Sequence, residues 1–215
     1  MAGCTSKMNK ATFLLTLYWV FFSSAGLAAD TVSSLMQKMQ SETAVKMAYQ
    51  EIRTLELMDK PWHGSGFMYS ISPDLMIREQ LKPQRLLMGI KGNDMFYFDP
   101  ENQLCHQSEI NEDSPISLNI AVFKALITAD KALLKRMYLI ELSTQAERWV
   151  MTLKSKQHSE SAFNIVVSGL TGKVADTIIT QQADGDLSEF LLQQIAKGNE
   201  VQKKAMQLYQ ELIGE

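Results

Sequence analysis

The fold is decided by residues Trp62–Pro100, which read WHGSGFMYSISPDLMIREQLKPQRLLMGIKGNDMFYFDP. Short apolar or aromatic runs alternate there with turn residues. The breaks fall at Ser72-Pro73-Asp74, at Lys82-Pro83, and at Lys91-Gly92-Asn93-Asp94. The pattern is typical of an antiparallel meander, in which each strand pairs with the next one along the chain.

The remaining chain continues this strand pattern and adds helices before, within and after it. Alternating or apolar runs predict strands at 45–57, 103–110, 138–142, 148–153, 163–167, 174–181 and 187–195, with a hairpin turn at Asp184-Gly185. Helical spacing predicts a short amphipathic helix capped by Asp30-Thr31, a helical insert at 115–136, and a C-terminal helix at 199–213. The chain is therefore predicted to be α+β, with about ten or eleven strands of curved antiparallel sheet.

Residues 1–29 have the pattern of an export signal. Lys7 and Lys10 precede the uncharged apolar run Thr12–Phe22, and small residues follow as far as Ala29. The apolar run is shorter than the ~20 residues that a membrane span needs. We expect cleavage after Ala28 or Ala29, location in the periplasm, and a single domain at 30–215. A retained N-terminal anchor helix is the alternative.

Charge and cysteine content exclude several classes of protein. The formal net charge is −3, with no basic cluster, which argues against nucleic-acid binding and against permanent attachment to anionic lipid. Cys4 precedes the apolar run and therefore cannot be the lipid-modified cysteine of a lipoprotein. Cys105 alone forms no internal disulfide, and we expect it to be a small buried apolar residue.

No arrangement of residues typical of catalysis stands out. His63, His106 and His158 lie in separate segments without the spacing of metal ligands. Trp62 occupies the first glycine position that a nucleophile elbow would need before His63-Gly64-Ser65-Gly66. The sequence predicts that the protein is not an enzyme and uses no metal or cofactor.

Methionines are frequent on the predicted strand and helix faces. Methionine is flexible and polarizable, so it suits surfaces that must fit variable apolar ligands. Ordinary core filling is the alternative for each one. The residues concerned are Met47, Met68, Met76, Met88, Met95, Met137 and Met151.

The order of signals in Trp62–Pro100 resembles the LolA family of periplasmic lipoprotein carriers. In that family a strand ends in a proline turn, two strands follow, and a glycine turn leads to an aromatic strand ending in Y-D-P. The resemblance implies an incomplete, curved antiparallel barrel with a helical lid at 115–136 over an apolar cavity. It implies a monomer that ferries lipoprotein acyl chains, or another lipid, from an inner-membrane exporter to an outer-membrane acceptor.

The resemblance also suggests residues for the site. It places Phe67, Tyr69, Leu75, Ile77, Leu87, Phe96 and Phe98 on the sheet of the cavity, and Ile120 and Phe123 on the lid. If the strand register is shifted by one residue, each of these side chains on the sheet points to the opposite face. Two positions depart from the family: Ser72 replaces an arginine before the proline, and Arg78 replaces an aromatic residue on the next strand. A related carrier for another lipid fits these residues as well.

Two other functions stay open. The first is a sensor or adaptor that detects lipid in the periplasm and passes a signal to a membrane partner. The second is a lipid-modifying enzyme of the envelope, for which His63 and Ser65 would be the residues to test.

Overall fold

The computed structural model describes residues 27–39, 43–71, 74–110, 122–126, 130–145, 147–156 and 163–214. Within these ranges eleven strands form one antiparallel sheet. The strands are β1 Val45–Thr54, β2 Trp62–Ile71, β3 Leu75–Lys82, β4 Leu86–Lys91, β5 Asp94–Asp99, β6 Leu104–Glu109, β7 Tyr138–Gln145, β8 Arg148–Ser155, β9 Phe163–Leu170, β10 Thr177–Gln182 and β11 Leu187–Lys197. The predicted α+β class is confirmed.

The sheet consists of two meanders joined at their centre. The strand order is β6-β5-β4-β3-β2-β1-β11-β10-β9-β8-β7, so the first and last strands pair with each other. All other pairs join strands that follow one another in the chain. The meander predicted for Trp62–Pro100 forms β2 to β5, and the predicted turn at Asp184-Gly185 joins β10 to β11.

One face of the sheet, called here the inner face, curves around a shared core. His106 of β6 and Thr180 of β10 line one cavity, although seven strand spacings separate them in the sheet order. In a flat sheet that separation would be about 34 Å. The sheet therefore curls over its inner face. Its two edges, β6 and β7, do not pair with each other, so the barrel is incomplete among the described residues.

Three helical segments pack on the inner face. They are α1 Leu27–Met39, α2 with described residues 122–126, and α3 Lys131–Met137. Each contributes at least one buried side chain to the inner core: Leu35 and Met36, Val122 and Leu126, and Leu134, respectively. The Asp130 side chain caps α3 by accepting hydrogen bonds from the backbone N–H groups of residues 132 and 133, both at 3.1 Å.

The C-terminal helix α4, Asn199–Ile213, covers the opposite face, called here the outer face. Its buried residues Val201, Ala205, Leu208 and Leu212 recur at intervals of four and three, which is the spacing of one helical face. Gly214 ends the helix in the left-handed conformation, where its N–H bonds to carbonyl groups of the last turn. The sheet is thus the middle layer between two layers of helix.

Two local predictions were wrong. Helix α1 begins at Leu27, so Asp30 lies within it rather than at its cap. Cys105 is exposed on β6, which is an edge strand of the described sheet. Residues 1–26, Ser72, Pro73, 115–121 and His158 lie outside the described residues. None of the described helices is both long enough and apolar enough to cross a membrane.

Candidate functional site

A cavity of about 580 Å³ lies between the inner face and the helices. One wall consists of β3 to β6. Phe163 and Ile165 of β9 form part of the opposite wall, and Phe123 and Leu126 of α2 close it on the helical side. The volume falls within the ~300–1,000 Å³ that is usual for sites binding small organic ligands.

Strand register explains which side chains reach this cavity. Residues directly opposite one another in an antiparallel pair lie on the same face of the sheet. Met68, Arg78, Met88, Tyr97 and His106 are opposite one another in turn across β2 to β6. All five line the cavity. The neighbouring row, Met76, Ile90 and Met95, also lines it, so methionine supplies much of this wall.

A second, smaller cavity of about 190 Å³ lies beside α1. Met39 of α1 and Met47 of β1 line it, together with residues of β2, β10 and β11. Met68, Met76 and Leu126 line both cavities. The two are therefore adjacent compartments of the same inner-face space.

The large cavity contains one charged cluster. The Glu51 side chain is fully buried, and its carboxylate accepts hydrogen bonds from Arg53 and Arg78. Arg78 Nε also donates to the Tyr49 hydroxyl at 2.9 Å, and its guanidinium lies 4.9 Å from the centre of the Tyr49 ring. Burial raises the pKa of Tyr49, which Arg78 partly opposes. Tyr49 is therefore a neutral hydrogen-bonding partner at neutral pH.

Most of the predicted sheet residues belong to the core on the outer face rather than to this cavity. Tyr69, Leu75, Ile77, Leu87 and Phe96 are buried in one core with α4, and Phe67 and Phe98 pack at its margin. Most of this set is thus one residue out of register with the row that lines the cavity, and its part in lipid binding stays a prediction. Its members alternate with Met68, Met76, Met88 and Met95, which point the other way. Tyr69 does border the smaller cavity, and Phe96 the larger one.

The two predicted lid residues have different outcomes. Phe123 lies on α2, lines the large cavity, and packs against Phe190 with ring centres 5.6 Å apart. Ile120 lies outside the described residues. Phe96 makes its ring contact on the other side of the sheet, edge-to-face with Tyr209 of α4 at 5.7 Å.

The methionine pattern was the signal that located the cavity wall. Of the seven methionines singled out from the sequence, Met47, Met68, Met76, Met88 and Met95 line one or both cavities. Met151 is buried in the inner core, and Met137 packs against it. The charged cluster had no sequence signal beyond Arg78, since Glu51 and Arg53 look like ordinary polar positions of a strand.

The two residues named for an enzyme, His63 and Ser65, do not line either of the described cavities. His63 is exposed, and alternation along β2 places it and Ser65 on the outer face, with Phe67. His106 is on the inner face. No group of three or more potential metal ligands occurs among the described residues.

A protein-family model for outer membrane lipoprotein carrier proteins of the LolA-like type matches residues 23–211. This chain belongs to the LolA-like family. The match spans the whole described sheet, the helices of the inner face, all but the last two residues of α4, and every described residue that lines the two cavities. A comparison with functionally curated proteins finds no significant match.

Solved structures similar to this LolA-like chain share little of its sequence. A LolA superfamily protein from Nitrosomonas europaea is 10% identical, with a TM-score of 0.44 over 77% of this chain and 91% of that one. A putative outer membrane lipoprotein-sorting protein domain from Vibrio parahaemolyticus is 8% identical, with a TM-score of 0.42 over 84% and 98%. The Pseudomonas aeruginosa MucA/MucB complex gives 9% identity and a TM-score of 0.41, over 80% of this chain and 57% of that one.

Proposed function

We propose that this protein carries the acyl chains of a lipoprotein or another lipid through the periplasm without catalysis. The observation that carries the proposal is the methionine-rich cavity of about 580 Å³ on the inner face. Membership of the LolA-like family supports the same function. The route runs from an inner-membrane donor to an outer-membrane acceptor, and an N-terminal export signal at 1–29 would deliver the protein to the periplasm.

The physical basis is the transfer of hydrocarbon out of water. Each buried CH₂ group contributes about 0.8 kcal/mol, so ten of them contribute on the order of 8 kcal/mol. A carrier must also release its cargo, which favours a wall that adapts to the chain over one that fits a single shape. Methionine supplies such a wall, because its unbranched side chain changes rotamer at little cost.

The helices on the inner face would act as the lid of this carrier. Phe123 of α2 contacts the cavity, and α1 closes the smaller compartment through Met39. Movement of these helices away from the sheet would open the space between them. The outer face takes no part in this movement, since α4 covers it as part of a separate core.

Uptake of a fluorescent acyl probe tests the proposal with one matched pair of variants. Met95 is half-buried on the cavity wall, and Met95→Glu should lower probe affinity at least tenfold, because the chain would have to desolvate a charge. Leu191 of β11 alternates with the inner-face residues Phe190 and Leu192, and it is 42% exposed. Leu191→Glu makes the same chemical change outside the cavity and should leave uptake unchanged.

The outcomes separate the candidate functions. Uptake that falls in Met95→Glu alone supports the carrier. Equal uptake by both variants and the unmodified protein would place the lipid elsewhere and contradict the cavity assignment. Alanine at His63 or Ser65 should have no effect on uptake, whereas loss of a lipid-modifying activity in those variants would favour the enzyme.

A further inference from the structure

Among the described residues, the charges that line the large cavity do not balance. Its described lining contains one carboxylate, Glu51, and two guanidinium groups, Arg53 and Arg78. One arginine would suffice to neutralise a buried carboxylate. The second leaves one excess positive charge beside a largely apolar space, where an unbalanced charge is unfavourable unless water or a ligand compensates it.

The three charged side chains of this cluster differ in their exposure to solvent. The side chain of Arg53 is 39% exposed, that of Arg78 is 14% exposed, and that of Glu51 is fully buried. Arg53 also lies over the ring of Trp62, with its guanidinium 4.9 Å from the ring centre. The positive charge thus extends from the mouth of the cavity inward, towards the methionine wall beyond Arg78.

Both arginines keep hydrogen-bond donors beyond those that Glu51 uses. A guanidinium carries five N–H donors in a planar fork that matches the oxygens of a carboxylate or phosphate. Arg53 donates to Glu51 from Nε. Arg78 donates from Nε to the Tyr49 hydroxyl, and from Nη2 to Glu51 and to the side-chain oxygen of Gln80. Two further polar side chains line the cavity next to Arg53. Ser188 lies opposite Arg53 in the sheet, and Thr180 lies opposite Ser188.

We propose that the cavity selects an acyl chain bearing an anionic oxyacid group, a carboxylate or a phosphate, which Arg53 and Arg78 bind. The chain extends over the methionine wall while the charged group stays at the half-exposed end. This inference rests on the proposed carrier function and adds the class of cargo to it. A fully esterified, uncharged lipid anchor would leave the excess charge unpaired.

The test compares ligands of equal chain length that differ in the terminal group. A long-chain fatty acid, a lysophosphatidic acid and a fatty alcohol would each displace a neutral acyl probe from the protein at neutral pH. In the unmodified protein at least one anionic ligand should bind about tenfold or more tightly than the alcohol, because a charge-assisted hydrogen bond replaces solvation. The tighter anion identifies the group as carboxylate or phosphate.

Two variants of matched exposure locate the effect. Arg53→Gln leaves the pair between Arg78 and Glu51 in place and should abolish most of the anion preference, measured as the ratio of anion to alcohol affinity in the same variant. Arg148, on the outer face of β8, is 42% exposed and pairs with Asp176, so Arg148→Gln removes the same charge elsewhere. The anion preference should persist in Arg148→Gln.

The possible failures are distinct. Equal binding of alcohol and acids by the unmodified protein overturns the charged-group inference and leaves the carrier intact, and this result needs no variant. Equal loss of preference in both variants also overturns it, since the effect would then come from overall charge. Failure of all three ligands and of the probe to bind would contradict the carrier function itself.

Discussion

The contact between α4 and the outer face can be tested at Gly89. A Cβ added to Gly89 would lie 2.4 Å from Cδ2 of Leu212, which is too close for two carbon atoms. Leu212 is fully buried, so its side chain has little room to yield. Gly89→Ala should therefore push against α4, and shortening Leu212 to alanine should remove the obstruction.

The expected magnitudes follow from the change in packing. Adding a methyl group to this filled core should lower the free energy of unfolding by about 1–3 kcal/mol. Leu212→Ala should lower it by about 2–5 kcal/mol through lost burial and the cavity left behind. In the double variant the added methyl group enters the space that Leu212 vacates. The combined loss should therefore fall short of the sum by about 1–2 kcal/mol.

Urea unfolding of the unmodified protein, both single variants and the double variant measures this coupling. Leu208 is a similarly buried leucine on α4, and the three atoms nearest to a Cβ at Gly89 do not include it. Gly89→Ala combined with Leu208→Ala should accordingly show a smaller coupling. Additive losses in the Gly89 and Leu212 pair would refute the packing of α4 on β4. Gly89 borders the large cavity, but its added Cβ would point away from it, towards Leu212 of α4. Uptake of the acyl probe by the folded double variant should therefore be unchanged.

Three further changes have defined outcomes. Glu211 accepts two hydrogen bonds from Arg85, which lower the pKa of its carboxyl, so the pair stabilises the fold above the ordinary carboxyl pKa and is lost as the pH falls through the lowered value. Glu211→Gln should flatten the decline in the free energy of unfolding, measured with urea, below about pH 5. The effect should be no more than about 1 kcal/mol, because both side chains are partly exposed. Asp130→Ala removes the cap of α3 and should cost about 1 kcal/mol in thermal unfolding, whereas Asp130→Asn should cost much less. Gly66→Ala would place Cβ 2.0 Å from the carbonyl oxygen of Glu79, so circular dichroism and expression should show a larger loss of folded protein than in any other variant here.

The strand order was largely readable from local signals. Turn residues at Lys82-Pro83, Lys91–Asp94 and Asp184-Gly185 mark hairpins in the sequence, and the structure places hairpins at all three. A hairpin joins strands that follow one another in the chain, so each signal fixes a pairing without long-range information. The pairing of β1 with β11 had no such signal, because it joins the first and last strands of the chain at the centre of the sheet.

The alternation of side chains along the strands did not predict which of them point towards the cavity. Alternation identifies the buried face when one side of a sheet is exposed to water. Here both sides are covered, so Leu87 points to α4 while Met88 lines the cavity, and both positions are apolar. The aromatic and branched residues looked like the better cavity candidates. In the structure they belong to the core that α4 completes.

The choice of side chains on the two faces is consistent with two different mechanical roles. The outer face pairs branched and aromatic residues such as Ile77 and Phe96 with a helix held by the ion pair between Arg85 and Glu211. Stiff side chains favour one fixed packing arrangement. The inner face carries flexible methionines around an open space. In the proposed carrier, a sheet braced on its outer side would keep its curvature while the inner helices move, so cargo could enter and leave without unfolding the layer that holds the cavity open.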